Sequence, residues 1–283
     1  MKTFRMIGMA LLAVLVSANL TSCDKDDDGA EENAGQTDSS ITLRSGKKLV
    51  RATEYRGEGE SPLSIKEFKY DEKGRVIEST YKYTDDSSER IEKIFYSWDS
   101  DKITLRSENE EDGYGVFKLV DGKVSTYSAF YPSGEEWGRA KFAYDKGYIK
   151  EYASEFVYEG EVEVEDGSKY VYTWDNDRLS SVESSYEAAS FHYDGQTCKG
   201  VCPIFDYYAG LGWDIMKVHS ELFGMETVQL PSKYVREPIT TKFNYELDSD
   251  GYVVSCTFST ILTYEEGSEA YELDKGCYKF EWE

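Results

Sequence analysis

A short aromatic–Asp unit recurs along this chain, and no other feature limits its fold as strongly. The clearest copy is Phe68-Lys69-Tyr70-Asp71-Glu72-Lys73-Gly74-Arg75-Val76. Related copies centre on Trp98-Asp99, Val120-Asp121, Tyr144-Asp145, Trp174-Asp175, Tyr193-Asp194, Leu247-Asp248 and Leu273-Asp274. Successive turn aspartates lie 28, 22, 24, 30, 19, 54 and 26 residues apart. Six of these gaps are near one repeat length, and the long one fits a repeat plus an insert of about 28 residues. An earlier stretch, Leu43 to Val50, has the same shape without the Asp.

Asp and Gly tolerate left-handed backbone angles, and an Asp side chain bonds the backbone two residues on. Such clusters close tight hairpins. The flanks alternate with period two, as in Phe68 and Tyr70, Ile94, Tyr96 and Trp98, or Tyr278, Phe280 and Trp282. That is the period of a strand with one apolar face, the other face carrying Lys, Glu, Ser and Thr. Polar loops such as Thr84 to Ser88 and Pro132 to Glu136 separate the units. The pattern predicts an all-β chain with roughly 15 to 18 antiparallel strands in one meander. Residues 196–238 break the rhythm. Apolar residues there are spaced by three and four, which predicts a helix from about Gly210 to Phe223, closed by Gly224. An apolar helix inside a β repeat must be buried against the sheet or within its curve, as a plug or cap.

The first residues carry a different signal. Lys2 and Arg5 precede an apolar stretch from Met6 to Leu20, the pattern of a secretory signal. At about 15 residues it is short for a membrane span; the alternative is an N-terminal anchor helix. Leu20-Thr21-Ser22-Cys23 looks like a lipobox, which would make Cys23 the acylated first residue of the mature chain. Two or three acyl chains give a stable anchor where one is marginal. Asp24-Lys25-Asp26-Asp27-Asp28-Gly29 follows. It begins like a calcium loop, but its twelfth position is Gly35 rather than Glu. The expected organisation is a signal peptide over 1–22, an acidic flexible tether over 23–40 and a repeat domain over 41–283.

These residues carry a resemblance. The lipobox with its acidic tag, the aromatic–Asp–x–x–Gly–Arg units and the insert ending Leu230-Pro231-Ser232-Lys233 resemble a Bacteroidetes surface lipoprotein family. That family is described as a domain of unknown function with a porin-like fold. The units themselves resemble the tyrosine–aspartate repeats of large secreted β-shell proteins. The resemblance covers residues 41–283 and implies a large antiparallel sheet, strongly curved or closed into a barrel. It implies no catalytic residues. It also implies a palmitoylated protein at the outer membrane, facing the cell exterior. Tyr and Trp lie along the strands next to dense charge rather than only at the rims, so the aromatic face is expected inward and the charged face in water.

Charge and residue usage narrow the function. With 32 basic against 55 acidic residues, a net charge of −23, the chain lacks the basic footprint of a nucleic-acid binder. Two histidines leave little material for a metal or acid–base site, and no cofactor or catalytic motif occurs. His192 is expected on a strand surface, and His219 on a helix surface or in the core. Fifty-five carboxylates make a hydrolase pair impossible to single out, and a non-enzymatic role is expected. Export permits disulfides. Cys198 and Cys202 could close a small loop. Cys256 and Cys277 are symmetric about Glu266-Gly267 and would face each other across a two-residue hairpin, unless a turn or bulge at Asp274 to Gly276 shifts the register. The aromatics of the insert, Tyr207, Tyr208 and Trp213, are the candidate ligand-stacking residues; the plainer alternative is core packing. Two functions stay open: a surface lipoprotein binding a glycan or peptide, and a structural or adhesion component of the envelope.

Overall fold

The computed structural model describes residues 41, 43–57, 61–85, 88–158, 161–163, 169–204, 210–263 and 271–283. Nine strands come first: β1 Leu49–Arg56, β2 Ser64–Tyr70, β3 Val76–Asp85, β4 Ser88–Trp98, β5 Lys102–Ser107, β6 Tyr114–Val120, β7 Lys123–Phe130, β8 Glu136–Asp145 and β9 Tyr148–Tyr158. After them come β10 Glu161–Glu163, β11 Lys169–Asp175, β12 Arg178–Glu183 and β13 Ala188–Thr197. The last four are β14 Gln229–Arg236, β15 Ile239–Leu247, β16 Val253–Leu262 and β17 Tyr271–Trp282. Every pairing is antiparallel between neighbours, and β17 returns to pair with β1. β10 and β11 both pair with β9, one beside Phe156 to Tyr158 and the other beside Glu151 to Ala153. They occupy one position in the wall, so the 17 strands make a closed barrel of 16 positions.

The Asp turns lie at one end of this barrel, here the turn end, together with the long connection between β13 and β14; the connections that alternate with them lie at the other, the loop end. The turns use the chemistry their sequence carries. Asp71 Oδ1 accepts the backbone N–H groups of Lys73 and Arg75, each at 2.9 Å. Asp248 Oδ1 does the same for Asp250 and Tyr252. At Asp121-Gly122 both residues have positive φ, 50° and 74°, which a two-residue hairpin of the favoured twist demands. Asp274 differs: it lies inside β17. Ile261 pairs with Glu272 and Thr260 with Asp274, leaving Leu273 as the extra residue of a bulge.

A recurring hydrogen bond explains why an aromatic with a polar hydrogen precedes most turns. Tyr70 Oη–H donates to the Leu49 carbonyl at 2.6 Å, and Trp98 Nε1–H to that of Val76 at 2.7 Å. Tyr144 reaches Val124, Trp174 reaches Ile149, Tyr193 reaches Leu179, Tyr245 reaches Pro231 and Trp282 reaches Val253. Each bond joins the end of one strand to the start of its neighbour, and together they serve seven of the eight such junctions at the turn end. The eighth has Leu119 at that position, which has nothing to donate. The carbonyl residues Leu49, Val76, Val124, Ile149, Leu179 and Val253 are at most 2% exposed. Without the aromatic donor these carbonyls would be buried and unpaired, at a cost of about 1–3 kcal/mol each.

Alternation puts the aromatics inside. Phe68, Tyr96, Phe117, Phe142, Tyr172, Phe191, Phe243 and Phe280 are all buried. Facing outward are cross-strand ion pairs: Lys69–Glu78 at 2.8 Å, Lys82–Glu67 at 2.6 Å and Lys169–Glu151 at 2.7 Å. Charge on a lipid-facing wall costs about 2–4 kcal/mol per Lys or Arg near the bilayer midplane, so this wall suits water.

Tyr70→Phe removes one hydroxyl and leaves the ring in place. We predict a loss of about 1–3 kcal/mol in urea unfolding, because the Leu49 carbonyl stays buried without a donor. A loss under about 0.5 kcal/mol would show that the bond does not hold the strand ends together.

Candidate functional site

A barrel of 16 strands is too wide for its own side chains to fill. The filling comes from the sixth turn, between β13 and β14. After Thr197 the chain leaves the wall and it rejoins at Gln229, and of the described residues between them Ile204, Leu211, Trp213, Ile215, Met216, Leu222 and Phe223 are buried in the core. The expected helix over 210–223 is shorter than its periodicity suggests. It is an α-helix, α1, over Asp214–Val218 and then a 3-10 turn over Ser220–Phe223. Gly210 and Gly212 hold φ of 77° and 59°, which delays the helix until Trp213. His219 breaks it with φ −132° and ψ 50°. Gly224, at φ 62°, closes the second turn as the spacing predicts.

The break at His219 has a physical reason. The ring lies fully buried, edge-on to Trp98 at 5.5 Å and to Tyr70 at 6.3 Å. The Val76 N–H donates to its Nε2 at 3.1 Å. That leaves Nδ1 to carry the proton and donate to Glu221 Oε1 at 3.1 Å. A continuous helix would deny the imidazole one of these partners. Burial pushes the Glu221 carboxyl up, but the His219 hydrogen bond and the Arg44 backbone N–H outweigh it and hold the group below its ordinary range. Gly224 sits where no side chain fits: its carbonyl accepts the Ile149 N–H at 3.0 Å, and an added Cβ would lie 2.7 Å from the Gly147 oxygen. Lys123 Nζ donates to the Glu221 carbonyl at 2.6 Å. The insert thus docks on the strand starts of β3, β7 and β9, where Trp98, Tyr144 and Trp174 also bond.

Trp213 carries the plug's contact with one side of the wall. Its ring meets Phe117 at 5.4 Å, Tyr127 at 5.5 Å, and Phe142 and Tyr152 at 5.7 Å each, reaching four consecutive strands, β6 to β9. It also stacks on Phe223. Only 8% of it is exposed, and its packing is that of a core residue. Tyr207 and Tyr208, its companions as stacking candidates, lie outside the described residues, as does Cys23.

Towards the loop end several inward groups among the described residues are only half-buried. Lys66, two residues before the buried Phe68, faces inward; so do Tyr81 and Tyr83, two and four residues after the buried Ser79. All three are only half-buried. Lys66 pairs with Asp214 of α1 and lies 5.1 Å from the Tyr81 ring, which stacks on Tyr83 at 4.8 Å. The Tyr83 hydroxyl donates to Glu92 at 2.9 Å. The opposite wall carries half-buried Trp137, Phe156 and Tyr234. One recess there, bounded by Tyr170, Val182, Glu187, Ala189, Gly210 and Tyr234, holds about 20 Å³, room for one water. Tyr81 and Tyr83 continue the aromatic register into a polar loop, the signal by which the sequence could have marked them.

The remaining candidates scatter. His192 is exposed on β13, 3.4 Å from Ser190 Oγ. The four later cysteines are free thiols. Cys198 and Cys202 are buried where the insert begins, and burial pushes the Cys198 thiol up to about 11. The expected opposition of Cys256 and Cys277 does not occur. The bulge at Leu273 shifts the register by one, so Cys256 faces Tyr278 inside the barrel and Cys277 faces Thr257 on the outer surface.

Trp213→Ala should cost about 3–5 kcal/mol, as for other buried large-to-small changes. A shift in melting temperature below about one degree would mean that the ring is not part of the core.

No family model matches the chain, and no curated protein matches it. Among solved structures it is similar to the crystal structure of a porin-like protein from Bacteroides uniformis, with 15% sequence identity and a TM-score of 0.64. The match covers 84% of this chain and 96% of that one. A second structure, TcdB2-TccC3 without its hypervariable C-terminal region, aligns at 9% identity and a TM-score of 0.22, over 74% of this chain and 12% of its own. That likeness is too slight to bear on the fold. The first supports a shared barrel architecture and nothing finer.

Proposed function

We propose that this protein is a non-enzymatic envelope protein, lipid-anchored at the outer membrane through Cys23 and facing the cell exterior. Its barrel is a rigid, plugged cup whose loop-end mouth binds a ligand such as a glycan or peptide. The observation that carries the reading is the division of the lumen. The insert packs the turn-end half, where the half-buried Tyr and Trp rings spend their polar hydrogens on strand-start carbonyls, whereas toward the loop end the half-buried Tyr81 and Tyr83 stack on each other beside Lys66. A plug held by backbone hydrogen bonds to the wall argues against a conducting pore. The outward ion pairs argue for a barrel standing in water, so attachment falls to the lipobox, Leu20 to Cys23. Ile41 and Leu43 pack against the core, and Lys48 bonds Glu283 at the turn end, which supports a tether that leaves from the end away from the mouth. The small recess favours the other reading, an envelope-building or adhesion component without a small-molecule site.

Fractionation and binding test the two halves separately. Cys23→Ala should move the protein from the membrane fraction to the soluble fraction; retention after a high-salt wash would overturn the anchor. The released protein, titrated with neutral hexasaccharides and with short peptides while its tryptophan emission is followed, should bind one class. Tyr83→Ala should weaken that binding at least tenfold. Silence from every probe at millimolar concentration would leave the structural role as the better account.

A further inference from the structure

Residues 43–48 form no strand and belong to neither wall nor plug; they cross the turn end as a strap. The strap is fixed to the barrel by few bonds. Lys47 Nζ pairs with Asp248 at 2.9 Å and Asp250 at 2.6 Å, and the Lys47 N–H donates to Tyr252 Oη at 3.0 Å. Lys48 and Glu283 exchange backbone hydrogen bonds, which closes the ring between the two ends of the chain. The ion pairs are partly open to solvent, with side-chain exposures of 34% for Lys47, 24% for Asp248 and 57% for Asp250. Pairs of that kind hold weakly.

One strap residue reaches the plug at three separate points. The Arg44 guanidinium donates to the Gly200 carbonyl, where the insert begins. It also pairs with Glu226 at 2.7 Å, where the insert ends. Its backbone N–H lies 3.4 Å from Glu221 Oε1, the oxygen that accepts the hydrogen bond from His219 Nδ1. Lys48 Nζ in turn donates to the Arg44 carbonyl at 2.7 Å, bracing this residue from behind. The other ties between plug and barrel described above run to strands or Asp turns, which cannot move without breaking the wall. Arg44 is different, because the segment carrying it can lift while the wall between β1 and β17 stays intact.

We propose that the strap is a latch on the plug. Peeling residues 43–47 from the turn end, with the Lys48–Glu283 bonds kept, withdraws Arg44, separates the entry and exit of the insert, and loosens the His219–Glu221 base of the plug while the barrel remains closed. Because the strap continues directly into residues 23–40, a pull or a binding event on that segment reaches the plug before it reaches any strand. The latch rests on the geometry of the strap and holds whether or not Cys23 carries lipid.

Hydrogen exchange on the full chain tests this. The amides of Met216, His219, Leu222 and Met225 close the two helical turns of the plug and are the reporters; the ladder amides between β11 and β12, away from the strap's anchor on the β15–β16 turn, are the reference. In Arg44→Ala the reporters should exchange at least tenfold faster with the reference unchanged. Lys47→Ala, which removes the strap's two ion pairs with the β15–β16 turn but leaves Arg44 in place, should accelerate the same amides at least threefold. Unchanged reporters in Arg44→Ala overturn the latch. So does acceleration in Arg44→Ala without any in Lys47→Ala, since Arg44 would then act as a plug residue and the strap would transmit nothing. Equal acceleration of reporters and reference overturns it as well, because the plug would then have no motion of its own.

Discussion

A closed sheet of sixteen strands encloses more space than the side chains of its own inner face can fill, and the rest of this molecule answers that constraint. An empty lumen lined with Phe, Tyr and Trp would forfeit the burial that stabilises the fold. A lumen lined with polar groups would need an apolar outer wall and a bilayer around it. This chain keeps its rings inside, its Lys–Glu pairs outside, and supplies the missing volume from its own insert. The plug is therefore part of the core, and Trp213, which touches four strands at once, is the residue that joins it to the wall.

The plug also needs a place to dock, and the turn end provides one. Bulged turns leave strand-start residues with backbone groups turned away from the ladder. The carbonyls are taken by the aromatic donors before the turns. Two of the N–H groups, at Val76 and Ile149, are taken by the plug through His219 and the Gly224 carbonyl. One row of backbone groups thus holds both the repeat and the insert in place. A polar group left unpaired there would be costly in so buried a setting, which fixes where the insert must sit.

Much of this was legible in the sequence, for identifiable reasons. Asp-Gly turns and period-two aromatics report local chemistry, so the strands, their inward face and the position of the insert followed from them. What failed depended on distant partners. The periodicity over 210–223 reads as one helix because it counts apolar spacing, whereas His219 leaves the helix to meet Val76, 143 residues away. Symmetry about Glu266-Gly267 predicted facing cysteines, and a single extra residue, Leu273, undid it. Asp274 matched the turn pattern yet lies within β17, its carboxylate paired with Arg56 across the barrel seam. Arg44 gave no signal at all, since a lone arginine in a polar stretch does not announce three contacts about 160 to 180 residues further on.

The function proposed here depends on the same inside-out arrangement. If the barrel stood in lipid, the outward ion pairs would be misplaced, and the mouth would be one opening of a transmembrane wall. Sedimentation of residues 24–283 in detergent-free buffer tests the arrangement most directly. The account predicts a dispersed species that needs no detergent, because the main apolar cluster of the described residues is enclosed by wall and plug. Aggregation that only detergent relieves would contradict it, by showing that the outer wall, and not the plug, is what the apolar surface of this protein is for.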